Sequence, residues 1–456
     1  MRSGYFTAAC RLGLLAGFAT LAACGGPDVA TGSRKGVRIE AGAYAAAAGT
    51  RVEYESDGTG HRVVWAEGDA LRVAAFADGA RVRSGDKAWS RFDMVTEGGF
   101  DPSYMLFGGD ALLPAEGNVS RQRLYGLYPA GMLSVDTDDA LVFPAVQRYR
   151  AESFDTDAVL LVAAPVEATI PQEGTVRAEP FRFAHYTGYL RLSPRDLPAD
   201  IGDEPISRIV LECMDDTPVA GDFRVSIDDA AGGWALEPGA DAVRSVTLDC
   251  SEEAPRVGEL EHCWFALLPG RYDRVALTLH TEAGTVVRME RSGLEIASGV
   301  VKLQDIRFRA GDTVSRTYRL DGGDLGIRDY VNGEVLTGTK NGVEFGFLKL
   351  RYLLSGEDTC LELGKRGGRL WNTEPLPGRV TAVEVECVEA YNARFVQASI
   401  GSSTETYEYT RMGNTGELNR FEPPAGSDFR YVSIENTGAS AVAVVRCIRI
   451  VCTQGE

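Results

Sequence analysis

Past residue 36 the chain has no segment with sustained helical periodicity and caps, and this constrains its fold more than any other feature. In its place stand short apolar runs with partial two-residue alternation, at 70–76, 190–192, 209–211, 223–227, 275–279 and 343–348. Alternation puts successive side chains on opposite faces of an extended strand, so each run can bury one face and wet the other. The longest run, 442–452, comes last. Turn signals punctuate the runs, beginning with Asp78-Gly79, and the chain holds 52 glycines and 19 prolines. Strands of this length and spacing predict an all-β protein built of sandwiches.

A chain of 456 residues exceeds the roughly 250–300 that one core accommodates. Two stretches read as boundaries: a Pro/Glu/Gly-rich connector at 165–179, and a polar, Gly-rich stretch from Asp321 to Lys340. The expected modules are 37–175, 176–322 and 340–456, with a linker at 323–339.

The N-terminus reads as an export signal over 1–23. Arg2 and Arg11 precede or open a short apolar run (Leu12, Leu14, Leu15, Phe18, Leu21) that is too short and too rich in Gly and Ala for a membrane span. Leu21-Ala22-Ala23-Cys24 then places a cysteine directly after small residues, the pattern of a bacterial lipoprotein signal in which the thiol takes a diacylglycerol. The alternative is an ordinary secretory signal with an incidental cysteine. Buried acyl methylenes contribute about 0.8 kcal/mol each, enough for two or three chains to hold a soluble body on a membrane. Residues 24–36 are small and polar and read as a tether. The expected location is the cell surface, anchored in the outer membrane through lipid at Cys24.

Net charge is −18, and losing Arg2 and Arg11 with the signal takes it to −20. That disfavours nucleic acid and anionic lipid surfaces as partners. Of nine cysteines, Cys10 leaves with the signal and Cys24 is acylated, leaving seven. Several lie inside apolar strand patterns, where free buried thiols acting as small hydrophobes are the expectation. Cys250–Cys263 and Cys387–Cys447 pairings stay open.

No catalytic set stands out, and no cofactor signature occurs. His61, His185, His262 and His280 are far apart and in no ligand spacing. The acidic runs at 136–139 and 215–216 read as solvated turns rather than calcium loops, so no metal is expected. Trp371, Tyr391, Tyr407, Tyr409 and Tyr431 offer a platform for stacking a sugar or docking a protein, because aromatic rings present large rigid area. The competing reading makes them core or rim residues of a sandwich.

Four local patterns, in order, resemble the fimbrillin-like proteins that build or decorate type V pili of Bacteroidota. They are Thr50-Arg51 followed by Val64-Trp65 and Gly68-Asp69-Ala70-Leu71-Arg72-Val73; Tyr125-Gly126-Leu127-Tyr128-Pro129; Phe143-Pro144-Ala145-Val146-Gln147 with Asp157-Ala158-Val159-Leu160-Leu161 and Phe183-Ala184-His185; and Trp264-Phe265-Ala266-Leu267-Leu268-Pro269-Gly270, a strand, then Gly284. The resemblance covers about 37–322 and implies two transthyretin-like β-sandwiches. It also implies assembly by β-strand addition to other pilus subunits. In pilin members a protease cuts after an arginine that follows the first strand, and a neighbour's strand fills the vacated groove. Here the matching arginine is Arg51 and the first strand runs from Val37 to about Tyr44, poor in large apolar residues.

The chain departs from the pilin pattern in its last block, 340–456, which looks like a separate jelly-roll-type sandwich. This points to a tip or accessory pilus subunit that mediates attachment. The alternative is a stand-alone surface lipoprotein that binds carbohydrate or a host ligand and does not polymerise. Neither reading makes it an enzyme.

Overall fold

The computed structural model describes residues 36–44 and 65–454, apart from short internal segments at 97–98, 100, 102, 115–119, 135–137, 322, 324, 328–332 and 356–357. The expected signal over 1–23, Cys24, Arg51 and His61 lie outside the described residues. The protein is all-β: strands carry the described chain, and the one α-helix is the four-residue Ala390–Ala393. No helix among the described residues is long and apolar enough to cross a membrane.

The first sheet closes on itself. The strands Arg121–Tyr128, Leu161–Ala163, Gly174–His185, Val37–Tyr44, Tyr104–Asp110, Ser90–Val95 and Ala70–Ala77 each pair with the next, and Ala70–Ala77 pairs back to Arg121–Tyr128. The result is a flattened barrel filled by Trp65, Leu71, Phe107, Leu127, Phe181 and their neighbours.

The second region opposes two sheets. A three-stranded sheet (Cys263–Leu267, Gly188–Arg195, Val301–Arg307) packs on the middle of an eleven-stranded one through Leu190, Leu192 and Phe265 against Ile209, Leu211 and Leu277. The first two regions share one hydrophobic core because the chain interlocks them. Ala140–Phe143 pairs with Gly221–Asp228, and Val146–Arg148 with Ser245–Asp249.

The boundary expected between 175 and 176 falls inside the strand Gly174–His185, which belongs to the first sheet. Its Pro/Glu/Gly-rich composition resembles a connector, but Pro180 sits where the pairing with Val37–Tyr44 shifts register, a bulge that needs no ladder N–H from proline.

The third region is a sandwich whose two sheets share a core of Phe345, Leu370, Val383, Val385, Ile400, Ile434 and Ile448. One sheet is six-stranded: Leu336–Lys340, Val343–Leu348, Gly368–Asn372, Tyr431–Asn436, Val396–Gly401 and Tyr409–Met412. The other is the far end of the eleven-stranded sheet. The last strand, Ala443–Gln454, pairs with Thr313–Leu320 of the second region and with Arg379–Cys387 and Asp358–Leu363 of the third. The expected linker at 323–339 therefore contributes a strand, and a continuous sheet joins the last two regions.

All seven described cysteines are buried and none is in a disulfide, so neither Cys250–Cys263 nor Cys387–Cys447 is bonded. They serve as small core residues. Burial pushes the Cys250 thiol up to about 12 and the Cys452 thiol up to about 11, which keeps both protonated and unreactive at neutral pH.

Candidate assembly seat and ligand face

The first strand, Val37–Tyr44, is a stave of the closed barrel. It runs parallel to Gly174–His185 on one side and antiparallel to Tyr104–Asp110 on the other, with seven residue pairs along each. Alternation points Val37, Ile39, Ala41 and Ala43 inward, none more than 1% exposed. Only two of these four side chains exceed a methyl group. Full burial of a valine or isoleucine contributes about 1.5–3 kcal/mol, so side-chain anchorage is modest for a fully enclosed strand. Main-chain bonding and a few outside contacts supply the rest. Trp65 Nε1 donates to the Ala43 carbonyl at 2.9 Å. The Tyr104 ring lies across Gly42, where a Cβ would stand 2.1 Å from its hydroxyl, so only glycine fits. Tyr44 packs on Tyr104 at 4.8 Å between ring centres, under the guanidinium of Arg182.

A second cluster lies on the outward face of the six-stranded sheet. In Gly368–Asn372, Leu370 enters the core, so Arg369 and Trp371 share the opposite face. In Tyr431–Asn436, Val432 and Ile434 enter the core and leave Tyr431, Ser433 and Glu435 outward. Register then sets Gly346, Trp371, Ser433, Ser399 and Thr410 in one row across five strands. The Trp371 ring leans over Gly346, whose missing side chain makes room for it: a Cβ there would be 2.7 Å from the ring.

Arg369 organises the centre of this face. Its guanidinium carbon stands 4.9 Å from the centre of the Trp371 ring and 5.7 Å from that of Tyr407. Its Nε donates to Ser433 Oγ at 2.6 Å and its Nη2 to Tyr407 Oη at 3.1 Å. Tyr407 arrives from a loop pinned by Ser402, whose hydroxyl and amide donate to Glu408 at 2.5 and 2.9 Å. Burial raises the Tyr407 phenol above its ordinary range while the adjacent Arg369 opposes the rise, so the ring stays neutral. Thr410 and Gln397 donate to Ser399 Oγ, completing a polar row beside the rings. Such a face can stack the C–H side of a sugar and offer hydroxyl, amide and guanidinium partners to its edges.

Among the aromatic residues singled out from sequence, Trp371 and Tyr407 meet around Arg369. Tyr431 projects from the same face. Tyr409 packs toward the sandwich core, with Arg411 over its ring at 4.9 Å. Tyr391 lies in the short helix, and its side chain is outside the described set. Sequence reasoning missed Arg369 and Ser433. The signal for Arg369 was present, because it stands two residues before Trp371 on a strand.

The acids described in these runs are committed elsewhere. Asp139 accepts from Trp89 Nε1 at 2.9 Å and pairs with Arg81. Asp215 accepts from the Cys213 thiol at 2.6 Å, and Asp216 pairs with Arg244. Among the described residues no group of three His, Cys, Asp or Glu is placed to hold a metal.

No known family profile matches the chain, and no curated protein matches it. Solved structures do. A Bacteroides fragilis protein proposed to act in cell adhesion is 13% identical, with 61% of this chain and 95% of that one covered and a TM-score of 0.37. A second such protein, from Bacteroides ovatus, is 16% identical over 61% of this chain and 93% of that one, with a TM-score of 0.33. The fimbrial anchor protein from Porphyromonas gingivalis is 11% identical, covering 58% and 81%, with a TM-score of 0.25.

Proposed function

We propose that this chain is a structural and adhesive surface lipoprotein of the fimbrillin-like kind, a tip or accessory subunit of a type V pilus rather than an enzyme. The observation that carries the reading is the seat of the first strand. Val37–Tyr44 completes a closed barrel, yet half of its inward side chains are methyl-sized, and the segment after it contains Arg51. Removing that strand opens one slot between Gly174–His185 and Tyr104–Asp110, with two bare ladders and small alternating pockets. An extended strand from a neighbouring subunit has the chemistry to fill it.

The position at an end of a fibre rests on the last strand. A donor in strand addition must leave its own sheet free of it. Ala443–Gln454 is paired on both sides and ties two regions together, so it supports accepting a strand without giving that one.

A second reading draws on the Arg369 cluster: a lipoprotein held at the outer membrane through Cys24 that uses its last sandwich to bind carbohydrate or a host protein and never polymerises. Mass spectrometry of the mature N-terminus, on protein from the native outer membrane, separates the two. A chain beginning at Val52 is the result expected for strand release after Arg51. A chain beginning at acylated Cys24 keeps the first strand in place and overturns the strand-accepting role.

A further inference from the structure

The second sandwich contains an apolar cavity of about 220 Å³ between its two sheets. Leu190, Leu192, Leu211, Leu277, Leu294 and Ile306 line it, none more than 5% exposed. It exists because the chain changes sheets there. The strand Thr285–Ile296 belongs to the large sheet and Val301–Arg307 to the small one, with only residues 297–300 between them. Thr285–Arg288 pair with Thr313–Arg316, and beyond them the same edge has no ladder partner among the described residues. The two diverging strands leave a window in the side of the sandwich.

Its rim is formed by residues that fill nothing. Ser292, Gly293 and Gln304 line the cavity and are exposed. Gly293 has φ +78 between the pairs Tyr272↔Leu294 and Arg274↔Ser292 of an unshifted register, and a Cβ there would meet nothing within 4 Å. Two arginines also line the opening, and they differ. Arg291 is neutralised by a fork onto the buried Asp312, both bonds 2.8 Å. The guanidinium of Arg309 has no hydrogen-bond or ion-pair partner among the described residues; its bonds to Asp312 are made by its backbone N–H and carbonyl.

An apolar void stays dry, and one of about 150 Å³ takes a benzene-sized guest. This one has room for slightly more. Its aliphatic lining offers no partner to a buried hydroxyl or charge, while its lip carries one uncommitted cation. We propose that the cavity binds a small monocarboxylic acid with an apolar body, the body entering between the sheets and the carboxylate resting on Arg309. The site is independent of the strand-exchange reading.

The test uses the full chain and hexanoate, followed by calorimetric titration and by Tm, with acetate (head without body) and hexan-1-ol (body without charge) as comparators. Hexanoate is expected to bind saturably and raise Tm, hexan-1-ol to bind at least tenfold more weakly, and acetate not at all. Val275→Phe places an aromatic ring at the cavity wall and is expected to abolish hexanoate binding. Arg309→Gln, at an exposed position that leaves the fold alone, is expected to reduce hexanoate to the affinity of hexan-1-ol, and it decides the matter should Val275→Phe fail to fold. Absence of saturable hexanoate binding overturns the proposal. So does equal binding of acetate, or hexanoate binding that Arg309→Gln leaves unchanged.

Discussion

The first and last described strands are both inner strands, paired along both edges, and they differ in the side chains they bury. Val37–Tyr44 sends two alanines, a valine and an isoleucine inward. Ala443–Gln454 buries Val445, Ile448 and Ile450 in the last core and pairs with three neighbours across two regions. Main-chain hydrogen bonds are similar in the two places, and each adds only about 0.5–1.5 kcal/mol net because water competes for the same groups. Side-chain volume is what distinguishes the two, and under the strand-exchange proposal it is what would let the first be released.

The widest separation between them comes from removing each. A chain ending at residue 442 loses the strand that holds the second and third regions in one sheet, and it is expected to lose cooperative unfolding and go to the insoluble fraction. A chain cleaved after Arg51 and freed of residues 37–44 is expected to stay soluble, with a calorimetric transition at lower temperature that recovers when a synthetic Val37–Tyr44 peptide is added. A chain ending at 442 that keeps its native transition would show that the last strand is no more structural than the first.

Single substitutions sharpen the contrast. Ile450→Ala hollows a packed core and is expected to cost about 2–5 kcal/mol. Ala41→Leu forces three more carbons into a position that is 0% exposed, at an expected cost of about 1–3 kcal/mol. Both are read from urea midpoints. If Ala41→Leu stabilises the protein instead, the seat has spare room, and the idea that it is sized for small, releasable side chains fails.

Alternation made the strand content and the last strand legible in the sequence, because a two-residue period survives without knowledge of partners; the first strand, poor in large apolar residues, was legible only through the family resemblance. Closure of the barrel did not show, since the pairing of Val37 with Gly174 is a long-range choice that no local pattern encodes. The strand Leu336–Lys340 was hidden in a supposed linker because it lies at the edge of its sheet and buries little, so it carries no hydrophobic signal. The aromatic face was half legible. Trp371 and Arg369 follow strand parity, whereas Tyr407 and Tyr409, two residues apart, would share a face if both were in one strand. Tyr407 instead belongs to the loop held by Ser402 and Glu408, so the parity breaks between them.

The smallest expected difference is electrostatic. On the last strand Arg446 and Arg449 donate to Glu386 at 2.9 and 3.1 Å, whereas among the described residues Glu40 on the first strand is paired with Arg177 at 3.7 Å and Arg38 at 4.0 Å. The hydrogen bond from Arg446, with help from Arg449, holds the Glu386 carboxyl below its ordinary value near 4.5. The unfolded chain then takes up the proton at higher pH than the folded one. The pair's contribution is therefore whole above the ordinary glutamate range and is lost as pH falls through the depressed folded value. Its side chain is 25% exposed, so solvent screening keeps the contribution to under about 1 kcal/mol. Glu386→Gln is expected to lower Tm slightly at pH 7 and to flatten the decline of Tm between pH 5 and about pH 3, where the parent chain loses this pair. Parallel Tm curves for the two proteins across that range would mean that the arginines gain nothing from the carboxylate, and that the last strand is held by its ladder hydrogen bonds and side-chain volume without help from charge.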